Sequence, residues 1–277
     1  MARIAVPYGA IIIINFRNRR KIVILEAMNR YDFRKLFKSV GPVVLPVIHV
    51  QDNAQAEYNV RILVGEGAAG CFLINHDFDV ARFLPIIAHV RQRFPALWLG
   101  VNFLAVTGKL AFPVLGKLKR DGITVDGYWA DDARIDERRA TDDQPEAQDI
   151  ASAYKASGWS GFYTGGTCFK KQREVAPEHY EYSARLATSY MDAVCTSGVA
   201  TGHAADSSKI KTFRRGLGDH AMTLASGITP ENAHLYMDDV DGFMVATGIN
   251  RDGDFYNIEA AKLARLLKLT REHGARS

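Results

Sequence analysis

Two apolar runs near the C-terminus each end on a hydroxyl followed by glycine: AMTLASG, closing on Ser226 and Gly227, and GFMVATG, closing on Thr247 and Gly248. Glycine allows close approach to the backbone, and free N–H groups in such turns can point at an anion, so the chemistry these pairs suit is phosphate binding. They also serve simply as tight strand-to-helix turns. Other polar residues end apolar runs upstream. His49 ends VVLPVIHV, Asn75 and His76 end GCFLINH, Asn102 lies in LWLGVNFL, and Asp131 and Asp132 follow TVDGYWA. A histidine, an amide and a carboxylate suit general acid–base chemistry, and neighbouring carboxylates can split their pKa values into one acid and one base. Successive strand residues point to opposite faces, so one of Asp131 and Asp132 is expected to face inward. A hydrogen-bonded structural histidine and a solvated Asp-Asp turn are the plainer alternatives.

GFYTGGTCFKK adds Thr164, Gly165 and Gly166 for close backbone approach or simply for a turn, and Lys170 or Lys171 for an anion or carbonyl contact, with a surface lysine as the plainer alternative. Ser197 and Thr201 flank the end of the following run, DAVCTSG. Cys168, beside two lysines, would be a nucleophile only with a base that the sequence does not identify. Cys71 and Cys195 lie inside apolar runs and read as small core residues. The three cysteines form no CxxC or Cys/His pair at metal spacing, so neither a metal site nor a disulfide scaffold is expected, and the count fits a reducing cytoplasm.

The elements that must position these groups form a repeat. From Val43 onward, short, nearly continuous apolar runs alternate with amphipathic stretches: VVLPVIHV, GCFLINH, LWLGVNFL, TVDGYWAD, GFYTGGTCF, DAVCTSG, AMTLASG and GFMVATG each precede a stretch with helical spacing. This implies a parallel sheet covered by helices. Eight units in roughly 235 residues match an α/β (β/α)8 TIM barrel, for which ~250 residues is typical. A doubly wound open sheet would usually carry a Gly-rich dinucleotide turn after its first strand; VIHVQDNAQ has none, and no cofactor is expected. In a barrel the strand C-termini form the active-site face, where the loops after strands seven and eight frequently hold phosphate. Thr229-Pro230-Glu231 resembles a helix start opening an amphipathic stretch over residues 229–240. The polar segment 131–149 reads either as a lid or as disorder. Aromatics in Tyr154 to Trp159, with Phe162, Tyr163, Tyr180 and Tyr182, read as a base-stacking wall or as helix–sheet packing.

The 277 residues are 47% hydrophobic, which allows one large core. The net charge of +4 is scattered, so no nucleic-acid partner is expected. GAIIIINF is too short to span a bilayer and its basic cluster RNRRK follows it, which argues against a signal peptide and membrane insertion. Met28 would itself make a sensible start, so residues 1–27 read as an extension, with short strands at about 4–16 and 21–25, before a single barrel domain over 28–277. The apolar helices VARFLPIIAHV, LAFPVLGKLK and NIEAAKLARLLKLTREHG suggest a homo-oligomer.

SGITPENAHLYMDDVDGFMVATGINRDGDFYN resembles the C-terminal signature of the BtpA family, as does CTSGVATGHAADSSKI, while MNRYDFRKLFKSVGPVVLPVIHV resembles its opening. The resemblance spans about residues 28–267 and is strongest in the last third. It implies a TIM barrel related in shape to phosphate-binding barrels. It departs from the family after strand one, where QDNAQAEYN replaces a Pro-Leu-Pro-Gly-like segment, and around strand five, where TGGTCFKK lacks an aspartate. The phosphate end looks retained and the chemical end remodelled. The expectation is an enzyme acting on a phosphorylated small molecule, a sugar phosphate or a phosphoribosyl or nucleotide compound, through His49, Asn102, Asp131, Asp132 and Lys170. The alternative is a non-catalytic binding or assembly protein on the same scaffold.

Overall fold

The computed structural model describes residues 2–6, 10–15, 20–25, 28–170 and 172–276. Strands β1 (Ala2–Val6), β2 (Ala10–Asn15) and β3 (Arg20–Leu25) form an antiparallel meander, so the stretch expected as two strands holds three. Helix α1 (Arg30–Leu36) follows. Eight parallel strands then close into a barrel in the order of the sequence: β4 (Val43–Val50), β5 (Gly70–Asn75), β6 (Trp98–Asn102), β7 (Gly127–Ala130), β8 (Phe162–Gly166), β9 (Ala193–Ser197), β10 (Ala221–Ala225) and β11 (Gly242–Val245). This is a TIM barrel, and its strands fall on the eight apolar runs.

Helices α2 (Asn53–Gly65), α3 (Val80–Arg93), α4 (Gly108–Arg120), α5 (Pro145–Ser157), α6 (Tyr180–Ala187), α7 (Ser207–Leu217) and α8 (Ala260–Gly274) cover the barrel. The seventh unit departs from expectation. Residues 229–240 hold turns and one short 3-10 segment, Ala233–Leu235, instead of an α-helix. Thr229 still caps the start: its hydroxyl accepts the Glu231 N–H at 3.2 Å, while Asn232 Oδ1 accepts the Thr229 N–H. Local side-chain bonds of this kind compete with helix formation.

Odd-numbered residues of β4 and β7 and even-numbered residues of β5 and β8 supply the barrel interior, as the two-residue strand period requires. Val43, Leu45, Val47, Phe72, Ile74, Trp129 and Phe162 share one buried cluster. At its centre Thr164 and Thr223 exchange a hydroxyl hydrogen bond at 3.0 Å. Phe33 of α1, fully buried, packs on Phe162 and Phe37, and Phe37 packs on Trp98, so α1 closes the N-terminal end of the barrel. Burying a side chain of this size is worth about 1.5–3 kcal/mol. Outside the barrel, Phe112 contacts Tyr128, Tyr154, Trp159 and Tyr163, so Tyr154, Trp159 and Tyr163 serve helix–sheet packing.

One device recurs on the N-terminal rim. Asp126, Asp192 and Asp241 each precede a strand by one residue. Each carboxylate accepts the N–H of the second residue of the strand before it: Leu99 at 2.8 Å, Tyr163 at 2.7 Å and Met222 at 2.9 Å. Each aspartate N–H donates back to that same residue's carbonyl. Asp241, fully buried, also accepts from Arg30 and Arg214, which ties α1 and α7 to the rim.

The segment after β7 is ordered. Gln144 accepts the Asp136 N–H and donates to the Asp136 carbonyl, and Tyr182 and Tyr190 donate to the carbonyls of Arg139 and Thr141. Helices α3, α4 and α8 turn most of their apolar residues to the barrel, with Leu110 of α4 left exposed. No helix among the described residues is long and apolar enough to cross a membrane.

Candidate functional site at the C-terminal mouth of the barrel

The strand ends bring two polar groupings to one mouth. The first stands on β4, β6 and the end of β7. Asn102 and Asp131, both buried, meet with Asn102 Nδ2 donating to Asp131 Oδ1 at 3.0 Å. Asp131 keeps the inward parity of Trp129. Asp132 turns to the other side, where its carboxylate accepts the Arg134 N–H and pairs with the Arg134 guanidinium at 3.2 Å. Burial holds the Asp132 carboxyl above its ordinary range despite that arginine. Asn102 Oδ1 is buried without a protein partner and is available to a donor.

His49 is buried at the end of β4, under the ring of Phe255, whose centroid lies 3.9 Å away. His76 stands 5.5 Å from His49, centroid to centroid, and its Nδ1 lies 3.5 Å from Asp77. The loop after β11 is held in place by Gln55 and Asn59, which donate to the Tyr256 carbonyl, and by Tyr256, which donates to Asp77 at 2.8 Å. Asn75 does not join this grouping. Its amide donates to the Phe78 carbonyl and accepts the Leu104 N–H, bracing two loops.

The second grouping gathers on the loops after β8 to β11. Lys170 donates from Nζ to Ser226 Oγ at 2.6 Å and to Thr201 Oγ1 at 3.0 Å. Its backbone N–H is fixed by Ser197 Oγ at 2.9 Å. Ser226 adopts a left-handed backbone, φ 73°, a conformation that costs a non-glycine residue about 1–3 kcal/mol and concentrates at functional sites. The three loops interlock at their glycines: a Cβ on Gly227 would stand 2.2 Å from Ala204 N, and one on Gly248 would stand 1.8 Å from the Ile228 carbonyl oxygen. Thr247, exposed, lies beside Gly202 in the Thr201 loop. The backbone N–H groups of Ser226, Gly227, Thr247 and Gly248 donate to no protein acceptor among the described residues.

Gln172, which the sequence reading did not single out, joins the two groupings. Its amide nitrogen lies within 2.6–3.2 Å of the Gly166 and Asp131 carbonyls and Asp132 Oδ1, and its amide oxygen accepts the Phe169 N–H next to Lys170. A second link is electrostatic. Burial pushes the Cys195 thiol up to about 12, while Asp131 raises and Lys170 lowers it, so both charges lie within reach of one inward residue of β9.

Other expected site residues fall elsewhere. Thr164, fully buried and bonded to Thr223, belongs to the barrel interior below the mouth, and Gly165 packs against Ala133 and Tyr163 on the helix side. Cys168 is buried, and that burial raises its thiol. Cys71 is likewise pushed up to about 12. Lys171 lies outside the described residues. Among the described residues no three His, Cys, Asp or Glu side chains gather as a metal-ion site.

A closed eight-stranded barrel with polar side chains on its C-terminal face defines the class. In the last third of the chain, residues 177–272 match the model of the BtpA family. No curated protein sequence matches this one. Among solved structures, the chain is similar to tryptophan synthase subunit alpha from Legionella pneumophila str. Paris, at 14% identity and a TM-score of 0.60 over 89% of this chain and 100% of that one. It is also similar to phosphoribosyl anthranilate isomerase from Thermus thermophilus, at 16% identity and a TM-score of 0.54 over 84% and 100%. A third structure, described as native KDPGal, shares 12% identity at a TM-score of 0.56 over 84% and 96%. At such identities the likeness is one of fold.

Proposed function

We propose that this barrel is an enzyme acting on a phosphorylated small molecule, a sugar phosphate or a phosphoribosyl or nucleotide compound. The observation that carries the reading is Lys170, held 2.6 Å from Ser226 Oγ beside four backbone N–H groups without a protein acceptor. An ammonium, two hydroxyls and backbone N–H groups at these loop ends are donors of the kind that bind a phosphate group. The phosphoribosyl anthranilate isomerase named above, similar in fold, bears a phosphoribosyl compound in its name, in keeping with this class of substrate.

The other grouping supplies the chemistry. His49, sheltered by Phe255, suits proton transfer, and Asp131, oriented by Asn102, suits a base or a stabiliser of positive charge. Three inward polar side chains at the strand ends favour turnover over passive binding. Isomerisation, carbon–carbon cleavage and glycosidic chemistry all fit such a set.

The test is mass spectrometry of small molecules released on denaturing the purified protein. A phosphate ester should be recovered from the wild type and lost from Lys170→Ala. Recovery of an unphosphorylated ligand at equal occupancy from both proteins would sink the reading.

A further inference from the structure

Beside the mouth lies a cavity of about 500 Å³, between the loop after β8, the start of α6 and the first turn of α7. Lys170 lines it, so the residue that holds Ser226 also forms a wall of this space. A cavity of that size lies in the range that encloses drug-sized ligands, and a phosphate with a single pentose would leave much of it empty. Its lining is amphipathic. Tyr180, Val175, Pro177 and Val199 contribute apolar surface, and Asp206 and Ser208 contribute polar atoms.

Lys209, in the first turn of α7, is a closely held group of the lining. Its Nζ donates to the Cys168 carbonyl at 2.6 Å and to the Ser197 carbonyl at 2.8 Å. The ammonium sits over the rings of Tyr180 and Phe213. A lysine ammonium carries three N–H donors, so two carbonyls leave one for a ligand acceptor. Burial holds this lysine below its ordinary pKa range.

From this juxtaposition we propose that the ligand is a phosphate monoester whose far end carries a flat, hydrogen-bonding ring, as a nucleotide does. The phosphate lies at Lys170, and the ring enters the side cavity with Lys209 as its specificity-determining contact. The inference rests on the phosphate-ester reading above and narrows it from sugar phosphates at large to those bearing a ring. An apolar wall with a few fixed polar atoms is how a pocket holds such a group. A ring acceptor would take the third Lys209 N–H, and amino substituents would face the Asp206 carboxylate.

Calorimetry with ribose 5-phosphate and the four nucleoside 5′-monophosphates tests this on the full chain. Variants are Lys170→Ala, Lys209→Met and Val199→Trp. Lys209 also braces two loops, so Val199→Trp is the cleaner probe: Val199 lines the cavity and is 83% exposed, so a larger side chain there would narrow the cavity without entering the core. At least one nucleotide should bind about tenfold or more tightly than ribose 5-phosphate, a gap that Val199→Trp and Lys209→Met abolish, while Lys170→Ala weakens ribose 5-phosphate and the nucleotides alike. Equal affinity for ribose 5-phosphate and every nucleotide, unchanged by Val199→Trp, overturns the ring site and leaves the phosphate reading standing. Binding of all these esters unaffected by Lys170→Ala, or no binding at all, overturns both.

Discussion

Lys170 and Ser226, 56 positions apart in the chain, meet at 2.6 Å because the loops after β8 and β10, on either side of the β9 loop, turn them toward each other. The serine holds a left-handed backbone, and the lysine's own N–H is pinned by Ser197. A contact maintained by one strained residue and one pinned residue is ordered before any ligand arrives. Pre-organisation of this kind reduces the cost of binding.

Removing the ammonium should therefore weaken anion binding more than it weakens the fold. Lys170→Ala is expected to lower phosphate-ester affinity by about 10- to 100-fold, on the scale of a charge-assisted contact of ~1.5–3 kcal/mol. Ser226→Gly, which relieves the left-handed strain while deleting the hydroxyl, should cost affinity yet leave the melting temperature unchanged or raised. Titration calorimetry beside thermal melts separates the two effects.

The Asn102–Asp131 bond gives a different signature. Asp131→Asn keeps the shape and should retain most stability while turnover falls, general acid–base groups contributing ~10²–10⁴-fold. Asp131→Ala leaves the buried Asn102 amide without that acceptor and should also cost about 1–3 kcal/mol of stability. His49→Ala should resemble Asp131→Asn, with the loss in kcat. Full turnover in both Asp131→Asn and His49→Ala would remove these residues from the chemistry.

Gln172 is predicted to act as a positioning residue. Its amide bonds tie the Asp131 carbonyl to the Phe169 N–H beside Lys170, so Gln172→Ala should raise KM and lower kcat together, and Gln172→Asn should not rescue, because the shorter side chain cannot span both loops. An effect on KM alone would confine Gln172 to the anion loop.

His220 makes stability depend on pH. Burial, reinforced by Arg214, lowers its pKa to about 4 from an ordinary 6.5. The folded state therefore binds the proton less readily than the unfolded chain. Its stability contribution is full above about pH 6.5 and is lost as pH falls from there toward 4, by about 3 kcal/mol at most. Urea melts between pH 7 and 4.5 should show a decline that His220→Gln flattens; parallel curves would exclude His220 as the cause.

How much of this was legible in the sequence follows from period and reach. The eight strands were, because continuous apolar runs announce buried parallel strands, and so was the inward parity of only one of Asp131 and Asp132. The failed helix after Thr229 was not: the Thr229 and Asn232 side chains satisfy the backbone locally, and propensity does not register that. Gln172 and Phe255 escaped notice because their roles lie in contacts between loops distant in sequence. Lys209 escaped notice too, since nothing in SSKIKTF shows that its ammonium turns back under two carbonyls.

The reciprocal aspartate bonds on the opposite rim divide the molecule. They join β6 to β7, β8 to β9 and β10 to β11, while β5 follows Ala69 and has no such residue before it. Three pairs of strands are thus each latched by a short-range ring of two hydrogen bonds. Within a pair the intervening helix keeps the latch local. If the chain were circularly permuted by opening it inside a pair, the same ring would have to close across nearly the whole polypeptide, at a growing entropic cost. Opening it between pairs, in the segment after β7 or the loop after β9, would leave every latch within one continuous unit. The rim therefore marks where this barrel tolerates new termini, and permutants opened between β6 and β7 should fold more slowly than those opened between β7 and β8.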